Sequence, residues 1–301
     1  MTPDELRSFL LPHSAEICRT TPALFRYIHR RESHCGSGVL LRVGETPFML
    51  TAAHVADEFR HLNWKGIYFG TPDSEALSVG TPDSEALSVG TVKFLCSKPG
   101  KDPFRSDDPI DVAVVELSTE VASKLAEFMR FLSPHDLLLD PQMLDHGTYL
   151  VNGFPDLRVE EDEMDERIIA TNLPYFTHLH DPGQPPIPDF SPLNNIAVNA
   201  RKPYQDGEMS FGVDIEYTEG MSGGGIWRLY DEDQPIEALD WRKAKLAGIL
   251  TEGTDPAYEG SIGYFRGTKL RCVIKLFLAG WPHLAPALAK SIPPRFVNDP
   301  I

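Results

Sequence analysis

Long hydrophobic runs, paired cysteines and positive charge are all scarce in this sequence, and each shortage excludes a class of function. No apolar run approaches the roughly 20 residues that span a bilayer, so a membrane-spanning helix is not expected. The opening residues MTPDELRSFLLPHS lack the basic stretch, apolar core and small-residue cleavage site of a secretory signal, which predicts a cytoplasmic protein. Cys18, Cys35, Cys96 and Cys272 lie far apart with no C-x-x-C spacing. Neither a zinc site nor a redox motif is indicated, and free thiols are expected in a reducing compartment. Lys and Arg number 28 against 44 Asp and Glu, a net charge of -16. That balance repels nucleic-acid phosphates and weakly attracts basic polypeptides.

What is present suits an ordinary globular chain. The 301 residues are 42% apolar and 24% charged, enough for one large domain or two small ones. The 26 prolines and 23 glycines are spread along the chain, a pattern of many short elements joined by turns that favours β structure.

Thr2-Pro3-Asp4-Glu5 carries a helix-start signal and predicts a short amphipathic helix to about Leu11. Residues 23–30 are ambiguous between strand and helix. Val39–Val43 and Phe48–Thr51 flank Gly44-Glu45-Thr46-Pro47, which predicts a hairpin. Residues 71–80 and 81–90 are the same ten letters, TPDSEALSVG; two copies are too few for a solenoid, so a duplication within a loop or hairpin is expected. A strand over Asp111–Leu117 precedes a helical pattern from Thr119 to Phe131. The connection 133–145 marks a seam between domains. Residues 155–205 read as a polar, proline-rich insertion with an acidic stretch at 159–166. Strands return near 211–217, 225–230, 245–251 and 262–266, before a helix from about Thr268 to Ala279.

Three segments carry chemistry, in the order His, Asp, Ser. Leu50-Thr51-Ala52-Ala53-His54-Val55 is an apolar strand ending in small residues and a histidine. Asp111-Val112-Ala113-Val114-Val115-Glu116-Leu117 is a buried-type strand opening on aspartate. Glu219-Gly220-Met221-Ser222-Gly223-Gly224-Gly225 is a glycine-rich turn around one serine. A serine hydroxyl is a poor nucleophile near neutral pH, so it needs a base in hydrogen-bond reach and a group that fixes the base's tautomer. His54 and Asp111 are of the right types. Glycines around Ser222 allow a tight turn that exposes the hydroxyl, with the amides of Gly220 and Ser222 as an oxyanion hole.

These segments, in this order, resemble the trypsin-like (chymotrypsin-fold) serine peptidases, particularly their bacterial intracellular branch. Gly36-Ser37-Gly38-Val39-Leu40, Val151-Asn152-Gly153-Phe154-Pro155 and Leu246-Ala247-Gly248-Ile249-Leu250 are further likenesses. The resemblance implies an all-β fold of two Greek-key β-barrels with short N-terminal and C-terminal helices. It divides the chain into an N-terminal helical extension (1–22), a first barrel with His54 and Asp111 (23–132), a second barrel with Ser222 and the 155–205 insertion (133–285), and a C-terminal tail (286–301). It implies a serine endopeptidase with His54, Asp111 and Ser222 as triad, and Thr251, Glu252 and Gly253 lining a cleft for an extended polypeptide substrate. No cofactor and no metal are implied.

The sequence departs from the secreted trypsins at Met221, where those enzymes carry an acidic residue that pairs with a newly cleaved amino terminus. Any gating is therefore expected to be by something other than amino-terminal cleavage, and an intracellular peptidase is expected to have either a narrow substrate range or a regulatory protein partner engaged through residues 155–205. Glu216 falls near the floor of the specificity pocket by gapless spacing, which would favour Lys or Arg substrates; a one-residue bulge would replace it by Tyr217. His178 and His180, with His146 and Asp181 nearby in sequence, form a weaker metal-like group. Two further readings stay open beside the peptidase: a catalytically silent or partner-gated peptide-binding module, and a metal hydrolase.

Overall fold

Alternation of apolar side chains builds the first part of the molecule. In the computed structural model, which describes residues 14–28, 31–60, 67–69, 71–73, 76–79, 93–97, 108–140, 147–156, 159–162, 167–180, 187–200, 218–230, 241–254 and 263–298, β1 (Ala23–Ile28) and β2 (Arg31–Ser37) form an antiparallel hairpin. β3 (Val39–Val43) and β4 (Thr46–Ala52) form a second, turning at Gly44 with φ 59, a conformation glycine adopts without Cβ strain. β5 (Ile67–Phe69) extends the first hairpin, giving the order β2-β1-β5. β6 (Thr71–Asp73) and β7 (Ala76–Val79) are the first copy of the repeated decapeptide, folded as a hairpin; the second copy lies outside the described residues. β8 (Phe94–Cys96) and β9 (Val112–Glu116) complete a four-stranded sheet, β3-β4-β9-β8.

This last sheet is apolar on both faces, as its period-2 pattern requires. Val39, Leu41, Val43, Phe48, Leu50, Val112 and Val114 join the largest core cluster, while Leu40, Met49, Ala52, Ala113 and Val115 fill a second core on the opposite face. α1 (Ala53–Arg60) and α2 (Thr119–Leu125) cover that second face. Ser118 caps α2 through its hydroxyl, which accepts from Val121 N at 3.2 Å. The helix stops at Leu125 rather than continuing to Phe131. The chain is needed elsewhere: Arg130 N donates to Arg19 O, and Leu132 exchanges backbone bonds with Leu40 and Arg42.

The rest of the chain is organised by a curled, six-stranded antiparallel sheet, and the protein as a whole is mostly β. Its strands are β10 (Thr148–Gly153), β13 (Leu173–His178), β14 (Asn195–Ala200), β15 (Gly225–Tyr230), β16 (Lys245–Thr254) and β17 (Gly263–Lys269), in the order β13-β10-β15-β16-β17-β14. Residues 155–205 are therefore not a simple insertion, because they supply both edge strands, β13 and β14. Pro174 lies in β13, where an edge strand can tolerate a missing donor. Within the same stretch β11 (Val159–Asp162) and β12 (Arg167–Ala170) form a hairpin that pairs with β7 of the decapeptide.

α3 (Leu270–Gly280) ties the β3-β4-β9-β8 sheet to the six-stranded sheet. Leu270, Val273, Ile274 and Phe277 enter the largest core, and Phe48 of β4 meets Phe277 and Trp281 edge-on at 4.7 and 5.1 Å. The segment after it is no loose tail: α4 (Ala285–Ala289) and α5 (Arg295–Asn298) follow, with Leu288 and Ile292 buried in the same core. Of the N-terminal extension, residues 14–18 form one helical turn with Ile17 in the core; the expected helix to Leu11 lies outside the described residues. No single helix among the described residues is long and apolar enough to cross a membrane. One pair, Leu270–Gly280 with Pro282–Ala289, passes on length and composition but is bent by 113°, and Leu270, Val273, Ile274, Phe277 and Leu288 of that pair are buried in the core.

Candidate active site

Asp111 holds His54 twice. It sits just before β9 with φ 39, a left-handed conformation that costs a non-glycine residue energy and is concentrated at functional positions. Its carbonyl accepts from Ala53 N at 3.1 Å, Oδ1 accepts from His54 N at 2.9 Å, and Oδ2 lies 2.6 Å from His54 Nδ1. The first two bonds place a carboxylate at the start of α1, where it meets free amides and the positive end of the helix dipole. The third assigns the imidazole tautomer: an ionised carboxylate only accepts, so the proton is on Nδ1 and the lone pair is on Nε2. The loop behind Asp111 is itself braced. Ser97 Oγ donates to buried Asp108 at 2.5 Å and accepts from Val112 N at 3.1 Å, while Asp108 Oδ1 accepts from Ile110 N at 3.0 Å.

Ser222 lies in the turn 218–224, which is stapled to the six-stranded sheet. Met221 N donates to Thr218 O at 3.1 Å, Gly223 N to Leu250 O at 2.7 Å and Gly224 N to Met221 O at 3.0 Å. The amides of Gly220 and Ser222 have no partner among the described residues. The carbonyls that share their peptide planes are both held: Glu219 O accepts from Asp156 N at 2.8 Å, and Met221 O from Gly224 N. In a planar trans peptide the N–H points opposite to the C=O, so anchoring those two carbonyls sets the directions of the two unoccupied amides. Glycine is required at two positions here. Gly220 has φ 86 and Gly223 φ 89, and a Cβ on Gly223 would fall 2.0 Å from Ser37 O.

The end of β2 joins this turn to the histidine. Ser37 N donates to Ser222 O at 2.8 Å, and Ser37 Oγ donates to Gly220 O at 3.1 Å while accepting from Phe154 N at 2.9 Å. Gly36 separates Ser222 O from the side chain of Val55, the neighbour of His54; a Cβ there would lie 3.1 Å from the first and 2.8 Å from the second. Among the described residues Ser222 Oγ makes no hydrogen bond, so the hydroxyl is not locked onto the imidazole. Catalytic hydrogen bonds in unliganded sites are often long and tighten when substrate binds.

Thr251, Glu252 and Gly253 of β16 run beside the turn, directly after Leu250, and Gly253 packs on Thr218. A bulge between Leu250 and Glu252 re-aims this stretch. Thr251 Oγ1 donates to Arg266 O at 3.2 Å. The Glu252 carboxylate is engaged, paired with Arg266 at 2.5 Å and accepting from Tyr264 OH at 3.3 Å. Burial, reinforced by the Glu252 charge, pushes the Tyr264 phenol up to about 12. Glu216 and Tyr217 lie outside the described residues, as do His146 and Asp181. His178 is exposed, and His180 faces Asn199 and the ring of Tyr264. Among the described residues no group of three metal-ligating side chains forms. Burial raises the Cys18 thiol to about 12 and also raises that of Cys272, which suppresses thiolate nucleophiles there. Trp227 is a core residue.

Sequence reading passed over two residues. His34 of β2 and Asp156, three residues beyond β10, meet at 2.5 Å between Nδ1 and Oδ1, against Gly220. Each flanks a glycine-bearing segment already singled out, His34 before Gly36-Ser37-Gly38 and Asp156 after Gly153-Phe154-Pro155, and that adjacency is the signal that could have found them. Comparison with models of known protein families finds no match, and neither does comparison with curated proteins.

Proposed function

We propose that this chain is a serine endopeptidase of the trypsin-like kind, the β3-β4-β9-β8 sheet and the six-stranded sheet belonging to the counterparts of that fold's two Greek-key barrels. One observation carries the reading: across Gly36 from the helix start that holds a histidine with its Nδ1 committed to Asp111, a glycine turn presents Ser222 with two amides, Gly220 and Ser222, fixed in direction and without a partner among the described residues. An acyl-transfer site needs these parts together. In the proposed cycle an extended polypeptide lies along Thr251–Gly253. Ser222 Oγ attacks a peptide carbonyl, His54 Nε2 takes the hydroxyl proton, and the resulting oxyanion is received by the two amides. His54 then protonates the leaving amine, and water releases the acyl group by the same route in reverse. Asp111 keeps the imidazole in its productive tautomer and stabilises its charged form. No step requires a cofactor.

The unlocked Ser222 hydroxyl favours a second reading, a trypsin-like module that binds peptides and is silent or gated by a protein partner. Fluorophosphonate labelling of the full-length protein beside Ser222→Ala, with the modified residue located by mass spectrometry, decides between them. Labelling confined to Ser222 is the expected result. A folded protein that takes up no probe, alone or with a bound peptide, belongs to the second reading.

A further inference from the structure

We infer that His34 and Asp156 are positioning residues for the oxyanion-binding turn, fixing the peptide plane that carries the Gly220 amide. The inference rests on the peptidase reading of Ser222 but not on its chemistry. The chain of contacts is short: His34 Nδ1 to Asp156 Oδ1 at 2.5 Å, then Asp156 N to Glu219 O at 2.8 Å, the carbonyl of the peptide unit whose N–H belongs to Gly220. Asp156 lies beyond the end of β10, so no strand pairing holds it in place. His34 supplies the missing restraint. Its side chain is 3% exposed and braced edge-on by Phe25 at 5.2 Å, while the Asp156 side chain is 49% exposed. A buried imidazole is costly unless it is hydrogen-bonded, and here its bond ends on a residue whose backbone holds the turn.

The fit against the turn is close. A Cβ on Gly220 would fall 2.2 Å from Asp156 Oδ1 and 2.7 Å from His34 Cε1, so the pair lies directly on the Gly220 Cα. The backbone of β2 is shaped for this. A register shift between Leu24 and Phe25 sets Phe25 opposite His34 and Leu24 opposite Gly36, leaving Cys35 as the extra residue. Such bulges re-aim side chains. From the same strand end, Ser37 Oγ holds Gly220 O, so both peptide planes flanking Gly220 are set by β2, one directly and one through Asp156.

The test uses the full-length chain with His34→Phe, which keeps a ring beside Phe25 and removes the donor, His34→Asn, which keeps a donor near the Nδ1 position, and Asp156→Ala at the half-exposed partner. Fluorophosphonate labelling time courses separate the maximal labelling rate from the probe's binding constant, and hydrogen exchange read by mass spectrometry over 218–224 reports on the turn itself. Loss of an oxyanion donor costs roughly 100- to 1000-fold. Misaiming one in His34→Phe and Asp156→Ala should lower the maximal rate at least about 10-fold, leave probe binding within about 2-fold and accelerate exchange over 218–224, with most of the rate returned in His34→Asn. An unchanged rate, a loss that His34→Asn does not restore, or unchanged exchange in the turn overturns the inference. Should His34→Phe fail to fold, Asp156→Ala decides alone. A wild-type protein that is not labelled at all sinks the peptidase reading instead, and exchange over 218–224 in the variants still decides the positioning role.

Discussion

Two histidine–aspartate pairs among the described residues are built with opposite burial. In the first, Asp111 is the covered partner at 12% side-chain exposure and His54 the more open one at 26%; in the second, His34 is covered at 3% and Asp156 open at 49%. A buried carboxylate beneath a more accessible imidazole is the arrangement that the proposed general-base role of His54 toward the Ser222 hydroxyl calls for. A buried imidazole beneath an exposed carboxylate cannot reach a substrate, but it can hold a loop by its carboxylate. On the proposed reading the same two residue types act at two levels, one on protons and the other on the direction of a peptide plane.

Substitution should separate the pairs by orders of magnitude. Asp111→Asn removes the acceptor that fixes the His54 tautomer and is expected to lower the rate of Ser222 acylation by about 10⁴-fold with little change in binding. A fluorophosphonate time course checks this. A fall of less than about 10-fold would mean that Asp111 serves only to cap α1. Gly220→Ala comes next. Its Cβ must displace the Asp156 carboxylate and adopt φ 86, so it should combine a loss of about 100-fold in labelling rate with a destabilisation of about 1–3 kcal/mol. Thermal melts alongside labelling measure both. Wild-type labelling with only the melt displaced would place the Gly220 amide outside the chemistry and dissolve the functional link between the two pairs.

How far the sequence carried depended on whether the marks were local. His54, Asp111 and Ser222 each sit at a strand end or glycine turn whose neighbours announce it, and the structure puts His54 on Asp111 and braces Ser222 against the same region. The hairpin at Gly44, the strand at Val112–Glu116 and the helix at Leu270–Gly280 were legible from alternation and spacing for the same reason. β13 and β14 were not, because Pro174 and the polar loops around them dilute two short strands to the composition of an insertion. Glu252 was recognisable as a neighbour of the serine turn, yet its ion pair with Arg266 depends on the bulge at Thr251 and on cross-strand register. The pairing of His34 with Asp156 is further still from sequence: the residues are 122 positions apart, and they meet only because a bulge turns one strand while another ends.

Phe25 offers the finest distinction between the pairs. Its ring is fully buried and meets the His34 ring edge-on at 5.2 Å with an interplanar angle of 62°. Phe25→Leu keeps apolar volume in β1 and leaves the bond from Nδ1 to Asp156 in place, so it isolates the aromatic brace. The edge contact and the change of shape together should cost about 1 kcal/mol of stability, visible as a modest drop in Tm. Labelling of Ser222 should fall by less than about 3-fold, since the hydrogen bond rather than the ring contact carries the restraint. If the rate instead falls as far as in His34→Phe, ring orientation is what sets the turn, and the second pair depends on packing where the first depends on the carboxylate beneath it.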